Sequence, residues 1–192
     1  MISDCVVQER QLDLEKCRQL CLRPPFDIER LLRLGGLTVG SWEPTLVPLG
    51  SAISMLIRSR AMDAGFEPAV TSQWLPHLRN ETLLTLGEDL QAWDCPRYFK
   101  SWDEFVRQFY GQGRDVRSRI AGHLKCSLAD TAATVRIYSA TDVEAFGRFS
   151  DAPQRSGPAP RAIIRADDIA DRVRQVCGTV MFTVHPRERA EA

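Results

Sequence analysis

"GQGRDVRSRIAGHL" (residues 111–124), followed by "AATVRIYSATDVEAFGRF" (residues 132–149), is the stretch on which the fold reading turns. Before it the chain reads as successive helices. Within it a glycine-rich turn, a helix, a strand and a second helix follow in order. Gly111 and Gly113 accept positive φ and let a ligand approach the main chain, and the amides of the next helical turn have no partner inside the helix. Such a helix start favours anions through its dipole and its hydrogen bonds. Arg114 falls in that first turn and Arg117 three residues later on the same face, so both could close around a phosphate. The plainer alternative is that Gly111 ends one helix, Gly113 starts the next, and the arginines are solvated. Downstream, "AATVRIYS" alternates as a strand with Val135 and Ile137 on one face. The spacing of Thr141 and Glu144 predicts a capping box and a second helix over "TDVEAFGRF".

Toward the N-terminus the pattern is helical. Asp4 to Leu22 predicts an amphipathic helix, broken by Pro24-Pro25, and a short helix from Asp27 to Leu34 stops at Gly35-Gly36. "LTVGSWEPTLVPLG" suits one or two short strands. Ile53, Leu56, Ile57 and Arg60 then recur at helical spacing up to Gly65, and Leu75, Leu78, Leu83, Leu86, Leu90 and Trp93 do so in the next segment. Ser101 and Glu104 form a capping box for a helix through "WDEFVRQFY". Beyond the proline-rich "SDAPQRSGPAP", the segments "RAIIRA", "DDIADRVRQVC" and "GTVMFTV" read as strand, helix, strand. The expected fold is α+β in a single domain over 1–192, mainly helical over 1–100 and α/β over 101–192, where the proposed site lies.

Composition narrows the function classes. The chain has 192 residues, 44% of them hydrophobic, enough for one core. No apolar run reaches the ~20 residues of a membrane span, and the N-terminus is charged where a signal peptide is apolar, so a cytoplasmic protein without membrane insertion is expected. Formal charge is zero, which gives no global attraction to nucleic acid. Of the 25 basic residues only Lys16, Lys100 and Lys125 are lysine. Arginine is the better phosphate fork, although a GC-rich genome produces the same bias.

Six cysteines, with no CxxC pair, read as buried thiols, Cys17 and Cys21 on one helix face. Asp167, Asp168 and Asp171 could hold Mg²⁺, but acids at this position suit a helix start. His77 reads as structural, and His185 falls at the frayed C-terminal end. Trp42, Trp74, Trp93 and Trp102 read as core residues. "LRLGGLTVGS" lacks GK[ST], which excludes a P-loop.

Helix, strand and helix behind a Gly/Arg loop resemble the second half of the ParB/sulfiredoxin fold over Gly111 to Phe149. In that family a glycine-arginine motif opens a helix and binds nucleotide phosphates. The chain departs from it in three ways: Gly113 stands where the first of two adjacent arginines would be, the sulfiredoxin cysteine is missing from "GQGR", and the strand before the motif is replaced by a helical pattern. Cysteine-based peroxiredoxin repair is excluded on this alignment. The resemblance implies ATP as ligand over Gly111, Gly113, Arg114 and Arg117. It places Glu144 opposite them as the catalytic candidate, holding a metal ion such as Mg²⁺ or positioning water for phosphodiester cleavage. Within the superfamily it points to plasmid- or mobile-element-encoded fertility-inhibition proteins, credited with ATPase and DNase activity, whose partner is DNA about to be transferred. The rival expectation is a non-catalytic interaction protein that docks on a conjugation or type IV secretion complex through the Asp4 to Leu22 helix.

Overall fold

The computed structural model describes residues 5–36, 46–94, 101–107, 116–148 and 157–186. The first element among the described residues is a strand. β1 (Cys5–Glu9) lies antiparallel to β8 (Phe182–Pro186), with Cys5 opposite Pro186 and Glu9 opposite Phe182, and β4 (Trp93–Asp94) joins the other side of β8 in parallel. The predicted helix from Asp4 to Leu22 is therefore corrected to β1, the short strand β2 (Gln11–Leu12) and helix α1 (Leu14–Cys21). Two causes act together. The β-branched pair Val6-Val7 fits a pleated surface once a partner strand is at hand. Asp13 then caps α1, its carboxylate accepting from the Lys16 amide at 2.7 Å, which fixes the helix start at Leu14. His185, expected at a frayed end, sits in β8 opposite Val6, with Nε2 3.2 Å from Gln8 Oε1.

The helical layer follows the apolar periodicity. α2 (Pro25–Leu34) starts on proline, and Gly36, at φ 75°, lies in the turn that follows it. β3 (Val47–Pro48) pairs with β2 and leads into α3 (Leu49–Asp63). α3 is buried along most of its length from Leu49 to Ala61, and it packs on α1, α2, the later helix α4 (Leu75–Gly87) and the last helix α7 (Ala166–Cys177). α4 (Leu75–Gly87) follows a 3-10 turn over Pro68–Gln73. Trp93 closes the layer: its ring lies 4.7 Å from Phe182, and Nε1 donates to the Gly87 carbonyl at 2.8 Å.

The second half supplies α5 (Trp102–Phe105), α6 (Val116–Leu124), β5 (Thr134–Ile137), β6 (Val143–Phe146), β7 (Ala162–Arg165) and α7 (Ala166–Cys177). The expected cap on α5 is present, with Ser101 Oγ accepting from the Glu104 amide at 3.1 Å. β5 is the middle strand of an antiparallel sheet ordered β6-β5-β7, with Val135 and Ile137 buried. The helix predicted over "TDVEAFGRF" is corrected to a hairpin arm. Ser139 Oγ accepts from the amides of Thr141 and Asp142, at 3.3 and 3.0 Å, so a local turn takes the donors that a capping box would use. The chain folds back, and Val143 pairs with Ile137 while Phe146 pairs with Thr134.

The fold is thus mixed α+β with small sheets, but β1 comes from the segment read as helical, so strands are not confined to the second half. Among the described residues no helix is long and apolar enough to cross a membrane. Cys17, Cys21 and Cys177 are buried, and burial pushes the Cys17 and Cys21 thiols up to about 12 and that of Cys126 to about 11. At neutral pH these groups stay protonated and are poor nucleophiles.

Candidate functional site

Of the residues picked out for phosphate binding, Gly111, Gly113 and Arg114 lie outside the described residues. Arg117 is on the first turn of α6, and its guanidinium faces α4. Nη1 donates to Glu88 Oε1 at 2.5 Å, and Nη2 donates to Glu81 Oε2. Arg148, two residues past β6, reaches the same carboxylates from another side. Its Nη1 donates to Glu88 Oε2 at 2.7 Å, Nη2 donates to Thr85 Oγ1 at 2.9 Å, and Nε lies 3.2 Å from Glu81 Oε1. That last contact is an ion pair without hydrogen-bond geometry.

The grouping follows from helix geometry. Glu81, Thr85 and Glu88 are spaced four and three apart, which puts them on one face of α4. Glu81 is only 1% exposed, and a buried carboxylate is tolerable only when it is paired and hydrogen-bonded. Burial alone would raise the Glu88 carboxyl, but hydrogen bonds from Arg148 and Arg117 outweigh it and hold the group below the usual carboxylate range. Arg174 of α7 extends the network, donating to Asp171 at 2.9 Å and lying 3.7 Å from Asp89. A close approach makes room for it all. A Cβ on Gly87 would stand 2.7 Å from Ile120 Cγ2, so α6 reaches α4 because position 87 has no side chain.

Glu144 is in β6, half-buried, accepting a hydrogen bond from the Tyr138 hydroxyl at 3.0 Å and standing opposite Arg136 across the ladder. A helix over this segment would have put Glu144 and Arg148 one turn apart on the same face. In a strand the two positions are roughly 13 Å apart along the chain, and Arg148 turns to α4 instead. Arg117 and Arg148 are therefore brought together by Glu81 and Glu88, two acids that no motif in the sequence marks. An ATP tail would have to displace Glu81 and Glu88 to engage Arg117, so this residue does not fit the phosphate role. Asp167 and Asp168 lie in the first turn of α7, where the dipole favours them, and Arg165 holds the cap position. Asp171 pairs with Arg174. Among the described residues no group of three or more His, Cys, Asp or Glu is placed to hold a metal ion.

A second feature is a groove of about 440 Å³ between the C-terminal end of α3 and β7, lined by Arg60, Arg161 and Arg165 together with Asp63 and Asp168. β7 is an edge strand, and its period-two alternation sends Ile164 into the core while Arg161, Ile163 and Arg165 are exposed. Ile163 is 55% exposed between the two arginines. Asp63 is paired with Arg23, and Arg165 lies 3.6 Å from Asp167, which leaves Arg60 and Arg161 without an acidic partner among the described residues. Comparisons with family models, with curated proteins and with solved structures found no match to this chain.

Proposed function

We propose that this protein binds the backbone phosphates of DNA destined for conjugative transfer and blocks that DNA, as a fertility-inhibition protein encoded by a plasmid or other mobile element. The observation that carries the reading is the groove between α3 and β7, where Arg60, Arg161 and Arg165 surround the exposed Ile163. Planar, permanently charged guanidinium groups suit phosphate oxygens, and an apolar side chain between cations suits the less polar face of an unpaired strand. With a formal charge of zero, attraction depends on this local field rather than on the whole surface.

Blocking is preferred to cutting because Glu144 is held by Tyr138 and stands in a ladder beside Arg136. The nucleotide part of the reading rests on the ParB/sulfiredoxin likeness of Gly111 to Phe149. In it Gly111, Gly113 and Arg114 would hold the ATP phosphates, and Arg117 acts as a positioning residue that fixes the start of α6 against Glu81 and Glu88.

Fluorescence anisotropy with single-stranded and duplex oligonucleotides, across a salt series, tests the groove. Arg161→Ala with Arg165→Ala should weaken binding about tenfold or more and lower the salt slope by roughly two. Equal affinity and slope in wild type and double variant would discard it. A second reading, a non-catalytic protein that docks on a secretion or conjugation complex, is favoured by Leu22 and Phe26, which are 73% and 76% exposed where α1 passes into α2. The docking helix expected for that reading is not available, since Cys17, Leu20 and Cys21 of α1 face the core.

A further inference from the structure

A small cavity of about 200 Å³ lies where the C-terminal end of α2 meets α3 and α4. α3 is otherwise a core helix, yet Ser51, Ser54 and Arg58, at spacings of three and four, form a polar stripe along the side that lines this cavity. Arg79 of α4 lines it too. The two guanidinium groups share an anomaly. Arg58 is 9% exposed, its Nε is buried with no hydrogen-bond partner, and no carboxylate pairs with it among the described residues. Arg79 Nε is likewise buried and unpartnered, and among the described residues the acceptor for Arg79 is Asn80 Oδ1, 3.3 Å from Nη2.

Burial without compensation is costly for a cation. Desolvation lowers the Arg58 guanidinium from its ordinary value, and no acid opposes the shift. The end of α2 offers only partial relief. Arg58 Nη1 lies near Gly35, 3.8 Å from where a Cβ would stand there, but no hydrogen bond joins it to the α2 carbonyls among the described residues.

We propose that this cavity is a binding site for a compact phosphate group, free or carried by a small ester, gripped between Arg58 and Arg79 with the Ser51 hydroxyl as a further donor. Guanidinium forks arriving from two helices, with a hydroxyl on the same stripe of α3 as Arg58, match a group with several acceptor oxygens better than a two-oxygen carboxylate. The volume sets the size. Pockets for drug-sized ligands run from ~300 to 1,000 Å³, so this one suits a phosphate or a few-atom phosphomonoester and excludes a nucleotide. Ser54 donates to the Gly50 carbonyl at 2.9 Å and serves as wall rather than donor.

Calorimetry and thermal unfolding of the full chain, with inorganic phosphate and glycerol phosphate as probes and chloride as control, test the site. Both probes should bind saturably and raise the melting temperature where chloride does not, and the tighter one identifies the free ion or the ester as the natural source. Arg58→Gln and Arg79→Gln should each weaken binding about tenfold or more, with Arg58→Lys recovering only part of the loss. Should Arg58→Gln fail to fold, Arg79→Gln, at a half-exposed position, decides alone. The double substitution at Arg161 and Arg165 should leave phosphate binding unchanged, which separates this site from the DNA groove. The inference is overturned if the wild type shows no saturable phosphate binding, or if Arg79→Gln binds phosphate as tightly as the wild type.

Discussion

Helix α4 takes part in two arginine pairs that differ in one respect. Toward its C-terminal end, Arg117 and Arg148 meet Glu81 and Glu88 in a closed set of ion pairs. Nearer its start, Arg79 and the facing Arg58 line a cavity with no acid among them. Each pair places at least one charged group in the core, Glu81 in the first and Arg58 in the second, and arginine cannot shed its proton to escape burial. The first pair is therefore structural: its positive charge is answered inside the chain, and the reward is the placement of α6 and of the segment after β6. The second is left to be answered from outside. Partners, rather than the arginines themselves, distinguish a fold contact from a ligand contact.

Removing the shared carboxylate should break this contrast with the largest effect. Glu81→Ala leaves Arg117 and Arg148 facing a buried gap, and losing one member of a buried ion network costs about 3 kcal/mol or more. Urea unfolding would read the loss as a lower midpoint at unchanged slope. A loss below about 1 kcal/mol would mean that the network is solvated and that its arginines resemble surface pairs.

A smaller effect is expected where the network depends on backbone approach. Gly87→Ala drives a methyl into Ile120 and leaves α6 either strained or displaced from α4. Overpacking of this kind costs about 1–3 kcal/mol. A double-mutant cycle with Arg117→Ala sharpens the point: if the methyl acts by pulling Arg117 away from Glu81 and Glu88, the two losses should be less than additive. Full additivity would show that the helices stay in place and that only the core around Ile120 is disturbed.

These partners also explain what could be read from the sequence. Signals that act within a few residues were legible: the serine cap of α5, the stops at Gly36 and Gly65, and the alternation that buries Val135 and Ile137. Signals completed by distant chain were not. β1 is a strand because β8 lies beside it, and nothing between Cys5 and Glu9 announces that partner. The spacing of Thr141 and Glu144 is a real capping pattern, overridden by a serine two residues upstream that makes the tighter local bonds. At the site, the place of Arg117 after two glycines suggests a phosphate contact, but its role is set by acids at and beyond another helix. The available trace was an acidic residue inside a leucine-rich helix, since Glu81 sits among Leu78, Leu83 and Leu84, and a buried acid requires a cation. Arg58 left a similar trace in α3 and was hidden by the apolar run around it.

The mildest way to probe the contrast is pH. Burial would raise the Glu88 carboxyl, but the hydrogen bonds and charges of Arg148 and Arg117 lower it below its ordinary 4.5 in the folded chain, whereas the unfolded chain keeps the ordinary value. The unfolded state therefore binds more protons near and just below pH 4.5, and stability must rise with pH through that window. The contribution of Glu88 is fully present above about pH 5 and disappears as pH falls through the depressed folded value. In Glu88→Gln the acid limb of the stability curve should flatten, with a loss at neutral pH and a smaller difference from wild type at pH 3. Because Glu88 is 29% exposed, salt should shrink the effect as well. The cavity pair supplies the control. Arg58→Gln removes a group that stays protonated across this range, so it should shift the whole curve and leave its acid slope unchanged. An altered acid slope in Arg58→Gln would mean that a carboxylate does answer Arg58, and the division between the two arginine pairs would no longer hold.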